Sequence, residues 1–146
     1  MINEKDNQLS HFDEEINKIS FVKNKSKYFK RRVKVFKLDS AIKNNKKIFK
    51  RIDFIKIDVE GYEKEVLLGS LKTIKNFNVR AIQIEMNRHQ LVKNMNIFEF
   101  SKILNNYRVF KILPFKSGLE KVNPLSAEAN IFHMSNFLFL RKGIKF

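Results

Sequence analysis

The chain has 146 residues, about the length of one domain, and 43% of them are hydrophobic, which is well above the content of disordered chains. It contains no cysteine, which excludes disulfides, thiolate metal sites and cysteine nucleophiles. No segment reaches the roughly 18–20 apolar residues of a membrane span, and the first residues carry acids where a signal sequence would be basic. We therefore expect a single cytoplasmic domain over residues 1–146.

The net charge of +15 comes mainly from residues 23–51, which hold thirteen Lys or Arg side chains against one acid, Asp39. Two interpretations stay open. The block is either a solvated basic face, in a chain whose wealth of Lys and Asn is typical of AT-rich genes, or a surface that binds polyanions such as nucleic acid. The second interpretation would make the chain a non-enzymatic binding module.

The first third of the chain gives weak structural patterns. Residues 1–32 have no clean periodicity and are expected to be irregular or peripheral. Apolar and basic residues alternate over 33–38, which predicts a half-exposed strand. Asp39 then predicts the start of a helix that runs to about Phe49, with Ile42 and Phe49 facing inward.

The middle of the chain has the clearest pattern. Isoleucine, phenylalanine and valine dominate residues 53–59, which predicts a strand, and apolar residues follow at helical spacing over 62–76. A second strand is predicted over 79–85. This order is typical of a βαβ crossover, which joins two parallel strands.

The last part of the chain predicts a helix over 96–106 and strands over 107–113 and 136–141. The segment between these two strands contains Pro114 and Gly118 and is expected to be a loop. The sequence predicts no oligomeric state.

Charged residues gather at the end of the first strong strand. Alternation places Lys56, Asp58 and Glu60 on one face of that strand. Glu85 closes the next strand and His89 follows, so three carboxylates and an imidazole are predicted at the edge of the sheet where α/β proteins bind ligands. The alternative is an internal ion pair of Lys56 with Asp58 and a Glu60 that caps the following helix. A lone histidine such as His89 usually has no functional role.

The same residues carry a family resemblance. The run from Lys56 to Gly61 is Lys-Ile-Asp-Val-Glu-Gly, an acid follows at Glu63, and Val-Leu-Leu-Gly ends at Gly69. This arrangement resembles the motif of the FkbM-type methyltransferases. A weaker similarity extends over about residues 33–140, including the Leu-Asp pair that ends at Asp39.

The resemblance implies an α/β chain with a partial Rossmann-like methyltransferase fold, in which a mostly parallel sheet has an antiparallel last strand. It also implies S-adenosylmethionine as the methyl donor and O-methylation of a small molecule, such as a sugar or glycan precursor. Asp58, Glu60 and Glu85 are then the expected catalytic residues. One of these carboxylates would accept the proton of the acceptor hydroxyl, or orient that hydroxyl through a bound divalent cation.

The expected cofactor-binding residues are Asp39, Lys56 and Gly61, and no metal-binding residue is assigned. Such enzymes hold the cofactor with a glycine-rich loop, yet the four glycines of this chain are far apart in the sequence and form no Gly-x-Gly. We therefore expect the chain to correspond to the carboxy-terminal half of the family's domain, as a fragment, and to bind the cofactor weakly on its own.

Overall fold

The computed structural model describes residues 2–3, 28–29, 34–45, 48–113, 118–131 and 134–145. The chain divides into two compact units, residues 1–35 and 36–146. In the first unit, strand β1 (Ile2–Asn3) pairs antiparallel with β2 (Tyr28–Phe29). Apart from these strands, the irregular segment expected over 1–32 lies outside the described residues, and the single domain expected over the whole chain stays a prediction.

The described part of the second unit alternates helices and strands. Its helices are α1 (Leu38–Asn44), α2 (Glu63–Leu68), α3 (Leu71–Asn76), α4 (His89–Val92) and α5 (Ile97–Ile103), with a 3₁₀ turn at Glu128–Asn130. Its strands are β3 (Phe54–Ile57), β4 (Ala81–Met86), β5 (Tyr107–Leu113), β6 (Gly118–Lys121) and β7 (Ser135–Arg141). None of the described helices is long and apolar enough to cross a lipid bilayer.

The five strands form one mixed sheet in the order β3-β4-β7-β5-β6. β3 and β4 are parallel, as a βαβ crossover requires, and β7 is antiparallel to both of its neighbours as expected. The expectation of a mostly parallel sheet is wrong, because β3–β4 is the only parallel pairing among the described strands of this sheet. β3, β4 and β5 do point the same way, but β7 lies between β4 and β5.

Strand β4 shows why the site lies where it does. Its side chains alternate between half-buried and fully buried, so that Ile82 and Ile84 enter the core and Glu85 points to the other face. In β7, Phe139 and Phe137 stand opposite these isoleucines and are themselves buried. The apolar face of this strand pair therefore anchors β4 and fixes the position of Glu85 at the carboxyl end of β4.

Two expectations for the first third of the chain are wrong. Residues 34–37 are neither helix nor strand, and Val35 and Phe36 are exposed, because nothing in the described residues covers their apolar side chains. Helix α1 begins at Leu38 and ends at Asn44, short of the predicted end. Ile42 is buried as expected, whereas Phe49 lies beyond the helix and is 40% exposed.

Two further differences concern element boundaries. The single helix predicted over 62–76 is two helices, because the chain turns at Gly69 and Ser70. The predicted loop after β5 contains strand β6, which pairs antiparallel with β5 at the edge of the sheet. The sequence pattern missed β6 because three of its four residues are exposed, so it has no apolar alternation to detect.

Candidate functional site

Three carboxylates meet at the carboxyl ends of β3 and β4. Asp58 and Glu60 follow β3 directly, and Glu85 is the next-to-last residue of β4. Because the two strands are parallel, these ends share one edge of the sheet. A carboxylate oxygen from each of the three residues lies within 4.8 Å of the others. The structure thus brings together the three residues predicted from the sequence to be catalytic.

The turn that carries Glu60 has an unusual backbone. Glu60 has φ 53° and Gly61 has φ 101°, so two consecutive residues lie in the left-handed region. This conformation suits glycine, but it costs a non-glycine residue such as Glu60 about 1–3 kcal/mol. The carboxylate of Glu63 stabilises the turn, because it accepts the backbone N–H groups of Val59 (3.1 Å) and Gly61 (3.1 and 3.2 Å).

A second turn, after β4, faces the first. The side chain of Gln90 accepts the backbone N–H of Asn87 (2.7 Å) and donates to the Glu63 carboxylate (2.6 Å). The side chain of Asn87 accepts the backbone N–H of His89 (2.8 Å) and donates to Glu60 at the longer distance of 3.5 Å. Two hydrogen bonds between side chains, from Gln90 to Glu63 and from Asn87 to Glu60, therefore join the two turns directly.

His89 belongs to this cluster. Its imidazole is buried, and Nδ1 lies 3.0 Å from Oε2 of Glu60. Its sequence position, four residues after Glu85, gave the only indication of this contact. The structure therefore places an imidazole beside the acids, where it can hold the Glu60 carboxylate in place.

Lys56 and Asp58 form the ion pair that the sequence offered as the alternative to a functional site, with 2.7 Å between Nζ and Oδ2. The pair is solvent-accessible, since the side chains are 52% and 33% exposed. β3 is an edge strand of the described sheet, so its charges avoid the desolvation cost that a central strand would impose. An exposed pair contributes only about 0–1 kcal/mol to stability. Stabilisation by this ion pair therefore does not explain why the acids lie at this position.

Glu85 has the most perturbed carboxyl group of the cluster. Partial burial raises the pKa of Glu85 to about 7, and the negative charge of the neighbouring Asp58, a hydrogen bond with it and the charge of Glu60 act in the same direction. The positive charge of Lys56 opposes this effect. Near neutral pH, Glu85 therefore exchanges a proton readily, as a general acid or base must.

The raised pKa of Glu85 predicts a pH-dependent stability. Glu85 ionises near its usual 4.5 in the unfolded chain but near 7 in the folded protein, so the folded state holds more protons in this window. Its contribution to the free energy of unfolding is complete below about pH 4.5 and falls by about 1–2 kcal/mol as the pH rises through 7, after allowance for solvent screening. Urea denaturation from pH 4 to 8 should show that the free energy of unfolding of Glu85→Gln rises relative to that of the wild type across this window. A constant difference between the two would contradict the assignment.

Asp39 lies at the start of α3. Its carboxylate accepts the backbone N–H groups of Lys72 (3.1 Å) and Thr73 (2.7 Å) and the Thr73 hydroxyl (2.7 Å). These N–H groups are the unpaired donors of the first helical turn, so Asp39 caps a helix that is distant in sequence. Desolvation raises the pKa of Asp39 and is the largest single contribution. The hydrogen bonds from Thr73 and Lys72 together outweigh it, so the pKa of Asp39 is lowered.

We predict that Asp39→Ala destabilises the fold by about 1–2 kcal/mol through the loss of this cap. Asp39→Asn keeps an acceptor oxygen and should lose less. Thermal melting beside calorimetric titration with S-adenosylmethionine separates this role from the cofactor role expected from the sequence. A variant that melts like the wild type but loses cofactor affinity would reject the capping role as the main one.

Comparison with known proteins adds a family assignment. The model of the methyltransferase FkbM domain matches residues 3–109, more than half of the chain. The chain belongs to the FkbM methyltransferase family. No curated protein and no solved structure matches the chain. The match begins near the first residue, so the expectation that only the carboxy-terminal half of the family's domain is present is not confirmed.

Membership of the FkbM family implies a methyl donor, and the described residues fit such a group in part. Three carboxylates suit a positively charged centre such as a sulfonium. In contrast, Asp39 uses its carboxylate on α3, the Gly61 N–H is bound to Glu63, and the Lys56 ammonium is bound to Asp58. The cofactor-binding roles of these three residues stay predictions.

Sequence patterns alone missed two residues of this candidate site. Glu63 was noted only as the acid that follows the run from Lys56 to Gly61, with no role of its own, and Gln90 gave no pattern at all. The adjacent glycine was the available indication for Glu63, because a left-handed turn exposes N–H groups that a nearby carboxylate can accept.

Proposed function

We propose that this FkbM protein is an S-adenosylmethionine-dependent O-methyltransferase that acts on a hydroxyl of a sugar or glycan precursor. The observation that carries the proposal is the cluster of Asp58, Glu60 and Glu85 at the strand ends, where one carboxylate oxygen of each residue lies within 4.8 Å of the others. Burial and the neighbouring charges raise the pKa of Glu85 to about 7. A carboxyl group that titrates near neutral pH can accept a proton in one step and release it in the next.

The acids act on the methyl acceptor. The acceptor hydroxyl donates a hydrogen bond to Glu85 or Asp58, and its proton passes to that carboxylate as the oxygen forms its bond to the methyl carbon. Bound S-adenosylmethionine would supply the electrophilic methyl group for this oxygen and would leave as a neutral thioether. Glu60, held by His89, adds negative charge that keeps Glu85 basic enough to take the proton.

A polyhydroxylated acceptor suits this arrangement. Asp58 is exposed and Glu60 and Glu85 are half-buried, so substrate hydroxyls can reach carboxylate oxygens from solvent. A divalent cation bound by the same oxygens is the second way in which they could orient an acceptor hydroxyl. The polyanion-binding alternative over residues 23–51 is less well supported, since the family match is to a methyltransferase domain.

The proposal is tested by methyl transfer itself. The protein is incubated with S-adenosylmethionine labelled in the methyl group and a panel of free and nucleotide-activated sugars, with and without Mg²⁺. We expect label in an acid-stable methyl ether of one acceptor class, and chelator sensitivity if a cation takes part. Label on a nitrogen atom of the acceptor, or no transfer to any member of the panel, would overturn the assignment.

A further inference from the structure

A buried carboxylate and a buried amide lie beneath the acid cluster. Glu63 and Gln90 are each 1% exposed, and Nε2 of Gln90 donates to Oε2 of Glu63 over 2.6 Å. Neither side chain belongs to the proposed chemistry. Buried polar groups are costly unless they are hydrogen-bonded, so the partners of this pair indicate what it does.

Glu63 holds the turn that follows β3. It accepts the N–H groups of Val59 and Gly61, which flank Glu60 on both sides. Glu60 itself is in the left-handed region, a conformation that persists only where the surroundings impose it. The carboxylate of Glu63 therefore fixes the direction in which the Glu60 side chain leaves the backbone.

Gln90 holds the turn that follows β4. Its side-chain oxygen accepts the N–H of Asn87, and its amide nitrogen also lies 3.4 Å from the carbonyl oxygen of Glu85. Asn87 in turn orders His89, whose ring contacts Glu60. The described side-chain hydrogen bonds of the pair thus end on residues 59–61 and 85–87, the segments that carry the site acids.

We infer that Glu63 and Gln90 form a positioning pair, which sets the separation and orientation of Glu60 relative to Glu85 and thereby supports methyl transfer. This inference rests on the proposed function. The pair touches no substrate and is not catalytic. It acts as a polar link between two loops, in addition to the sheet and the contacts of the acids themselves.

The direction of the hydrogen bond between the two side chains makes the inference testable by exchange. In Glu63→Gln two amide nitrogens face each other, and in Gln90→Glu two carboxylates do. The double variant Glu63→Gln with Gln90→Glu restores the bond between the two side chains: the amide introduced at position 63 accepts from residues 59 and 61 and donates to the carboxylate introduced at position 90, which accepts from Asn87. Only the long contact of 3.4 Å with the Glu85 carbonyl is not restored, since a carboxylate cannot donate to it. Glu65→Gln is the matched control, because it makes the same change on an exposed position of the same helix.

Two measurements are made on each variant. Methyl transfer per folded molecule should fall about 10²-fold in the single variants, as expected when reacting groups shift by about 1 Å, and return to within a few-fold of wild type in the double variant. Amide hydrogen exchange at Val59, Gly61 and Asn87 should quicken about 10-fold in the single variants, without a matching increase in the core strands, and recover in the double variant.

The outcomes separate the two proposals. If the wild type transfers no methyl group, the proposed function fails, while local exchange still reports whether the pair holds the turns. If the single variants lose stability but keep full turnover per folded molecule, or if the double variant recovers neither turnover nor local protection, the positioning role is wrong. Should a single variant not fold, Gln90→Met removes the amide without placing like charges together, and the same loss of turnover is expected.

Discussion

Glu85→Gln and Asp58→Asn should each reduce methyl transfer about 10²–10⁴-fold, the contribution typical of a positioned proton acceptor. Each change keeps the shape of the side chain but removes the group that takes the proton. Stability should change little or rise, because the substitution relieves crowding among three carboxylates whose oxygens lie within 4.8 Å. The effect should appear in kcat more than in KM, since the carboxylate acts on the proton as it leaves.

The measurement is turnover of labelled methyl groups beside thermal melting of the same preparations. Glu120→Gln serves as the control, because it makes the same chemical change on an exposed residue of β6. The pH profile adds a second criterion: wild-type activity should rise through about pH 7 as Glu85 loses its proton, and Glu85→Gln should lack this rise. A large fall in melting temperature with undiminished turnover per folded molecule would reject the catalytic assignment.

Phe139→Ala should destabilise the protein by about 3–5 kcal/mol, the usual cost of removing a buried phenylalanine ring. Phe139 is fully buried near the centre of β7, where it stands opposite Ile82 of β4 and Val109 of β5. The cavity would open in the strand that joins the two halves of the sheet. Because the free energy of unfolding of a single domain is only about 5–15 kcal/mol, this substitution would remove much of it.

Urea denaturation of Phe139→Ala and of Phe54→Ala provides the comparison. Phe54 lies on the edge strand β3 and is 50% exposed, so the same truncation there should cost far less. Equal losses for the two variants would mean that β7 does not lie at the centre of the sheet. Methyl transfer should also fall with Phe139→Ala in proportion to the unfolded fraction.

The sequence predicted the parts of the fold that follow from local patterns. The apolar residues of 53–59 predicted β3, the segment 79–85 predicted β4, and the helical spacing between them implied a parallel pair. That pairing alone brings Asp58 and Glu85 to one edge. The catalytic candidates could therefore be found without knowledge of the rest of the sheet.

What the sequence could not provide depends on contacts between distant residues. β7 lies between β4 and β5, where Phe139 stands opposite Ile82 and Val109, and periodicity carries no information about such a pairing. The same holds for Asp39, whose cap is on a helix more than thirty residues away. Gln90 was missed for this reason too, since its role exists only because Glu63 faces it.

The place of β7 also affects how the protein is made. A ribosome adds about 5–20 residues per second, so roughly 1–6 seconds pass between the synthesis of Leu113, at the end of β5, and that of Arg141, at the end of β7. Until β7 is synthesised, β4 and β5 lack the strand with which both of them pair in the folded protein. An unpaired strand edge is a template for pairing with another chain, so this interval is when a chaperone would have most reason to act.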